Sequence, residues 1–409
     1  MKSVAGPPAA SLAAGEPAGA AAAAEPAAAG AVVATVGVPA AAAMATATLP
    51  MATAVATTTA PAAAGRAVRF RDPRIEMAHG AGGKASRRLV EGLFAPLLGL
   101  GGGTGAEPLA DAAFLEVDGA RLALTADSFV VRPLRFAGGS IGELAVNGTV
   151  NDLAVSAARP LALLVTFVLE EGMATETLEA EVRALGAAAR RAGVAVLGGD
   201  TKVVERGKAD GMYITTAGIG RVDPRTRCAA SAVRAGDQVL LSGPIGDHGI
   251  TVLLARGDLE LEAELASDTR SVYPMVAAML DAAADGVRWM RDPTRGGVAT
   301  ALNELARDTG LGVELREEDV PVRDAVRGAC ELLGFDPLHI ANEGQFLAVV
   351  APERAAAALA AVRSVAGGEA AAIVGEIRAE PPRTVLVAAA YGGRRVVDML
   401  VGDPLPRIC

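Results

Sequence analysis

Three aspartates in this 409-residue sequence sit where a carboxylate can do chemistry: Asp127, Asp152 and Asp200. Asp127 lies near the end of the apolar run "ALTADSFVV". Asp152 follows Asn151 within "ELAVNGTVNDLAV", a predicted helix otherwise built of small and apolar residues. A carboxylate set among alanines is costly unless it gains a partner, a cation or water. Taken alone, Asp152 reads either as a solvated aspartate or as a cation ligand. Asp200 closes "VAVLGGD", a predicted buried strand ending in a glycine pair, with Gly199 before it and Thr201 and Lys202 after it. Strand ends of this kind gather the polar groups of α/β sites. Together the three aspartates suit Mg²⁺, which takes oxygen ligands and bridges to nucleotide phosphates.

Glycine-rich turns supply the second ingredient. "AHGAGGK" at residues 78–84 contains Gly82 and Gly83, whose flexible backbone lets N–H groups approach phosphate oxygens, with His79 and Lys84 as added charge. It is not a Walker A loop, which needs glycine six positions before the lysine and Ser or Thr after it; here those places hold Ala78 and Ala85. "RDPTRGGVATALNE" puts Arg295, Gly296 and Gly297 at a predicted helix start, where unpaired N–H groups and the helix dipole favour anions. "GPIGDHG" at residues 243–249 is a further turn of the same texture. Each of these turns also reads as a plain structural turn without a ligand. "IANEGQFL" sets Asn342 and Glu343 before a strand, so Glu343 is either a general base or a surface loop residue.

The sequence ends in "PRIC". Its three cysteines, Cys228, Cys330 and Cys409, are far apart, and an odd count without clustered histidines gives neither a disulfide framework nor a zinc spacing. Cys330 and His339 read as packing residues. A reducing cytoplasm is the expected compartment. A net charge of −9 and a pI near 5.1 disfavour a general nucleic-acid or anionic-membrane surface, and 3% aromatic residues leave no stacking platform for single strands.

These groups need a scaffold. Residues 1–66 are nearly all Ala, Pro, Thr, Gly and Val; they offer too little apolar surface to offset the entropy of ordering, and are expected to be disordered. From there on, short apolar runs alternate with helical periodicity, as in mixed α and β layers. In "TETLEAEVRALGAAARRAG", Leu178, Val182, Leu185 and Ala189 mark the apolar face, with Glu181, Arg183 and Arg190 pointing elsewhere. A second alternation begins near residue 237 after the charged stretch "RVDPRTRCAASAVRAGD". The expected division is an N-terminal domain at 67–225, a C-terminal domain at 236–395 and a mobile tail at 396–409 ending in a reactive cysteine.

Taken together, "AHGAGGK", "DSFVVRPLRFAGGSIGELAVNGTVNDLAVSAARP", "GGDTKVV", "DPTRGGVATALNE", "ANEG" and "PRIC" resemble the HypE family of hydrogenase maturation proteins, which are carbamoyl dehydratases. The resemblance runs in family order from about residue 76 to residue 409. It departs at Ala137, where the family's FPGG stretch commonly has proline.

The resemblance implies the two-domain α+β and α/β fold of aminoimidazole ribonucleotide synthetase. In that fold a ferredoxin-like first domain pairs into a dimeric barrel and an α/β domain covers the nucleotide site. It implies ATP and Mg²⁺ as cofactors, with Asp127, Asp152 and Asp200 at the metal and phosphates, and "AHGAGGK" as a mobile phosphate cover. It also implies that Lys202 and Glu343 flank a modified Cys409 thiol. The expected partners are a second copy of the chain, the carbamoyltransferase HypF and the HypC–HypD iron scaffold. The alternatives are another phosphotransferase of the superfamily, of the selenophosphate synthetase or thiamine-phosphate kinase type, and a scaffold that uses ATP only structurally.

Overall fold

A computed structural model describes residues 69–99, 110–257, 263–402, 405 and 407–409. The expected disordered extension at residues 1–66 lies outside the described residues, as do Pro404 and Pro406 of the tail.

The described chain opens on the glycine-rich loop and α1 (Gly83–Leu89), which continues through a π turn into α2 (Ala95–Leu98). A five-stranded sheet follows. Its strands are β1 (Ala113–Val117), β2 (Ala120–Phe129), β5 (Ala158–Glu170), β6 (Ala195–Val204) and β7 (Met212–Val222), in the order β1-β2-β7-β5-β6. A short ribbon, β3 (Arg135–Phe136) and β4 (Gly139–Ser140), leads into α3 (Ile141–Val155), and α4 (Thr175–Ala192) links β5 to its parallel neighbour β6. From β2 onward the connectivity is thus β-α-β-α-β-β, with β1 added ahead of it as an edge strand. It differs from the β-α-β-β-α-β of a ferredoxin-like domain, because α4 joins two parallel neighbours rather than crossing an antiparallel pair.

Helices α3 and α4 cover one face of this sheet. They approach closely because Gly142 has no side chain: a Cβ there would lie 2.3 Å from the Glu181 carbonyl oxygen. The buried stripe of α4 includes Glu181, which is fully buried, while Val182 is 44% exposed, the reverse of what the charge pattern suggests. Glu181 is tolerated there because Arg135 lies 2.6 Å from it and the Gly142 N–H at the start of α3 donates to it at 3.1 Å.

The second sheet has seven strands. They are β8 (Gln238–Leu241), β9 (Val287–Arg291), β10 (Gly312–Arg316), β11 (Leu347–Val350), β12 (Ala372–Arg378), β13 (Val385–Ala388) and β14 (Arg394–Val396), in the order β14-β13-β10-β12-β8-β11-β9. The central run "LAVV" of β11 is buried on both faces. Leu347 and Val349 meet α7 (Gly297–Thr309), while Ala348 and Val350 meet α6 (Tyr273–Ala283) and α9 (Pro352–Arg363). Its alternation therefore serves two cores at once.

Two further helices, α5 (Asp247–Ala255) and α8 (Asp324–Leu333), carry Ile250, Val252 and Val326 into a cluster shared with Phe129, Val131 and Ile141 of the first sheet's half. Tail residues Leu405 and Ile408 belong to the same cluster. No helix among the described residues is long and apolar enough to cross a membrane.

Candidate active site

A cleft of about 230 Å³ opens where the end of β2, the buried helix α3 and the loop after β9 meet. Asp127 reaches it from β2, Asp152 from α3, Asp292 and Arg295 from the loop, Glu343 from the turn before β11, and Cys409 from the tail. Gly148 on α3 keeps this space open, since a Cβ there would press on the Phe129 ring at 2.8 Å.

One wall is a cluster of carboxylates. Oxygens of Asp111, Asp152 and Asp292 all lie within 4.8 Å of one another. Thr125 donates to Asp152 at 2.7 Å, and Arg291 pairs with Asp111 at 2.8 Å and with Glu304 at 3.2 Å. Burial first, and then the neighbouring negative charges, hold Asp152 and Asp292 well above the usual carboxylate range and push Asp111 up to about 6. Such a group of hard oxygens, crowded and incompletely neutralised, fits a divalent cation of the Mg²⁺ type.

Glu343 lines the same cleft. It is only 3% exposed, and its Oε1 has no hydrogen-bond partner among the described residues. Burial, followed by repulsion from Asp292, Asp268 and Asp127, raises its pKa well above the ordinary value. Its backbone is fixed tightly: the Glu343 and Gly344 N–H groups donate to Asp268 at 3.0 and 3.2 Å. Asn151 donates to the Glu343 carbonyl at 3.2 Å and to the Arg270 carbonyl at 3.0 Å, while its own oxygen accepts the Val272 N–H at 2.8 Å. Asn151 therefore braces this backbone. At Gly344 a Cβ would sit 1.8 Å from the Asp268 carbonyl oxygen, so that turn can pass only as glycine.

The tail runs antiparallel beside residues 130–132, just after β2, without forming a strand of the sheet. The Val130 N–H donates to the Cys409 carbonyl at 3.1 Å and the Arg132 N–H to the Arg407 carbonyl at 3.4 Å. Arg407 also pairs with Asp210. Ile408 is buried and Cys409 partly so, and Cys409 is one of the residues lining the cleft. None of the three cysteines forms a disulfide.

Other residues singled out from the sequence sit elsewhere. His79 accepts the Glu76 N–H at 2.9 Å and faces Asp72 at 2.9 Å, so it stabilises its own turn. Lys84 pairs with Asp398 at 2.5 Å, and the first N–H groups of α1 donate to the Leu400 and Val401 carbonyls. Arg295 spans to the Gly80 carbonyl at 2.9 Å and packs against Gly82, while Gly83 lies against Leu400, so the glycine-rich loop is clasped between cleft and tail.

Asp200, Thr201 and Lys202 lie on β6, the far edge of the five-stranded sheet. Three strand spacings, about 14 Å, separate β6 from β2. Asp200 pairs with Lys202 at 2.5 Å, which lowers its pKa, and faces away from α3 and α4 alongside Thr166. A single chain thus does not assemble the set Asp127, Asp152 and Asp200. The aspartates it gathers are Asp111, Asp152 and Asp292, with Asp127 beside them. Gly199 serves the sheet, since a Cβ there would overlap the Val165 carbonyl oxygen of β5 at 1.6 Å. Sequence reasoning missed Asp292, although it directly follows strand β9 and precedes a proline. Asp111 lies in a short Ala-rich stretch and carries no such signal.

Comparison with known proteins now decides the family. Residues 109–222 match the model of the AIR synthase related protein N-terminal domain and residues 234–387 that of its C-terminal domain. The carbamoyl dehydratase HypE of Bradyrhizobium diazoefficiens is 47% identical over 347 residues, 84% of this chain and 99% of the relative. The chain belongs to the HypE family, the carbamoyl dehydratases of hydrogenase maturation. Among solved structures, the crystal structure of a HypE–HypF complex matches with TM-score 0.71 at 39% identity, covering 76% of this chain and 99% of that one. A hydrogenase maturation protein HypE in complex with ATP matches with TM-score 0.68 at 43% identity, covering 81% and 99%. Identity at this level places the chain with the dehydratases rather than with the phosphotransferases weighed above.

Proposed function

We propose that this enzyme dehydrates a carbamoyl group carried on the Cys409 sulfur to a thiocyanate, with ATP as the phosphoryl donor. The observation that carries the reading is that Cys409, Glu343 and the aspartate cluster line one cleft. An amide oxygen is a poor leaving group. Transfer of the γ-phosphoryl group of ATP to the thiocarbamate oxygen makes it a good one, and loss of phosphate with an N–H proton then leaves S–C≡N.

Glu343 takes that proton. Its buried, raised-pKa carboxylate is a stronger base than an exposed glutamate, and it lines the same cleft as Cys409. Asp111, Asp152 and Asp292, with Asp127 beside them, would hold Mg²⁺, which offsets the charge of the transferring phosphoryl group. Arg295 supplies positive charge at the rim, and the "AHGAGGK" loop it clasps covers the phosphates.

Lys202 and Asp200 enter from a second copy of the chain. The sheet face opposite α3 and α4 exposes Leu115, Leu124 and Leu164, and β6 is exposed along nearly its whole length. Two such faces closed against each other would form a barrel, bury these leucines and carry Lys202 toward the partner's cleft. There it would steady the oxygen being phosphorylated.

The domains divide at 67–225 and 236–395, and the tail at 396–409 swings between this cleft and its partners. Likeness to the HypE–HypF complex supports HypF as the carbamoyl donor. The HypC–HypD scaffold is the acceptor of the nitrile. Three cysteines outside any disulfide fit a cytoplasmic setting.

Intact-mass measurement tests the reading. Protein carbamoylated on Cys409 should lose one water on addition of Mg-ATP and keep its mass without it. A carbamoyl adduct that persists through ATP turnover would overturn the assignment.

A further inference from the structure

The "GPIGDHG" turn takes no part in the cleft just described, yet its residues are tightly constrained. Gly246 has φ +87° and starts α5, its N–H donating to Asn342 at 2.7 Å. A Cβ at Gly249 would lie 2.5 Å from Ile340 and 3.3 Å from Leu405 of the tail, so the missing side chain lets the tail lie against the helix. Between them stands His248, fully buried.

Its two ring nitrogens have distinct tasks. Nε2 lies 2.8 Å from the Ile408 carbonyl, which can only accept, so Nε2 carries the proton. Nδ1 then accepts from the Ser267 hydroxyl at 2.8 Å, and the Ser267 oxygen in turn accepts the Thr269 N–H at 3.1 Å. The Phe136 ring meets the imidazole edge-on at 5.4 Å. Just past the end of α5, Arg256 donates to the Arg407 carbonyl at 2.8 Å and to the Arg132 carbonyl at 3.1 Å. The last three carbonyls of the chain, at 407, 408 and 409, are thus each held by a donor from Arg256, His248 or Val130.

We infer that α5 is the seat that reads the reactive tail through its backbone, and that His248 is the positioning residue whose Nε2–H holds Ile408 so that the Cys409 sulfur faces the cleft. The contact engages main chain only, so it is indifferent to what the sulfur carries. It can seat the free thiol, the thiocarbamate and the thiocyanate alike, and it must open whenever the tail leaves for a partner. Burial holds the imidazole pKa down to about 4, so the ring stays neutral and keeps this tautomer across the physiological range. The catalytic consequence rests on the dehydration proposed above; the seating itself does not.

The test uses the full chain and the variants His248→Leu, which removes the donor, and His248→Gln, whose amide N–H can replace it. Seating is read by the rate of iodoacetamide alkylation at Cys409, located by peptide mass. Chemistry is read by single-turnover loss of water from the carbamoylated protein, and carbamoyl loading by its transferase serves as the control. In His248→Leu we expect alkylation to quicken and dehydration to slow, each roughly tenfold, the worth of one hydrogen bond to a buried carbonyl, with loading unchanged. His248→Gln should bring both rates back to within about threefold.

Wild-type alkylation in His248→Leu, or slowed dehydration that His248→Gln does not recover, would overturn the inference. Should His248→Leu not fold, Ser267→Ala decides: it frees the other tautomer and should shift both rates severalfold in the same direction, and unchanged alkylation sinks the idea. If the wild-type protein itself dehydrates nothing, the catalytic reading fails while the alkylation rates still decide the seat.

Discussion

Asp268 receives the backbone N–H groups of both Glu343 and Gly344, so a half-buried carboxylate on one loop fixes the direction of the carboxylate on another. The pairing leaves the Glu343 side chain pointing into the cleft with Oε1 unsatisfied, the condition expected of a base awaiting an N–H. Glu343→Gln keeps size and polarity but cannot take a proton. Dehydration of the carbamoylated protein should fall by about 10²–10⁴-fold, while Mg-ATP affinity changes little. Single-turnover mass measurement beside a nucleotide-binding titration checks this; turnover within threefold of wild type would remove Glu343 from the base role.

The aspartate cluster predicts a pH-dependent metal affinity with a definite sign. Asp152 and Asp292 are held well above their ordinary pKa, and Asp111 near 6, so in the absence of metal they retain protons into the mildly acidic range. A divalent cation must displace those protons, so affinity should rise with pH through that range and binding should release protons. Calorimetric Mg²⁺ titrations in buffers of differing ionisation enthalpy read the release directly. Asp292→Asn should weaken Mg²⁺ binding by about tenfold or more, roughly the loss of one charged ligand, and unaltered binding would take Asp292 out of the set.

What the sequence reveals depends on how locally each constraint is written. Asp127, Asp152, Glu343, Arg295 and Cys409 stand in motifs whose glycines and strand ends advertise a turn, and the fold gathers all five at one cleft. Asp200 is written in the same style, yet it lies on an edge strand and faces away from the covering helices. Strand periodicity alone does not say which face of a sheet is covered. Glu181 misleads for the opposite reason: a charge on a helix reads as solvent-facing until Arg135 and the start of α3 are seen to meet it. Asp111 belongs to the cluster purely through tertiary approach, with Arg291 from the second sheet as its partner. The alternation of elements is visible in the chain, but the order of strands in each sheet is not, and the placement of β7 between β2 and β5 emerges only in three dimensions.

A site completed across two chains makes a prediction that neither single variant can. Lys202→Ala spoils what a chain lends to its partner, whereas Glu343→Gln spoils the chain's own cleft. Each homodimer should be inactive. In a refolded equal mixture, half the dimers pair one of each, and one cleft in every such dimer has both an intact Glu343 and an intact partner lysine. About one quarter of wild-type dehydration should return, as two-fold symmetry requires. Activity that stays at the level of the single variants would mean that Lys202 acts within its own chain or not at all.

His248 ties stability to pH in a way that can be isolated from the carboxylates. Its folded pKa is depressed to about 4 from an ordinary 6.5, so between these values the unfolded chain binds a proton that the folded chain does not. Its contribution is therefore complete above the ordinary histidine pKa and is lost as pH falls toward the folded value. The raised carboxylates act in the opposite sense, so total stability mixes both signs. Subtraction against His248→Gln cancels them, because glutamine keeps a donor without titrating. From about pH 7.5 to about pH 5, wild type should lose about 2 kcal/mol more unfolding free energy than the variant, one and a half pKa units' worth. Urea unfolding at the two pH values measures it. A pH-independent difference between the two proteins would mean that the imidazole is not held neutral against the tail.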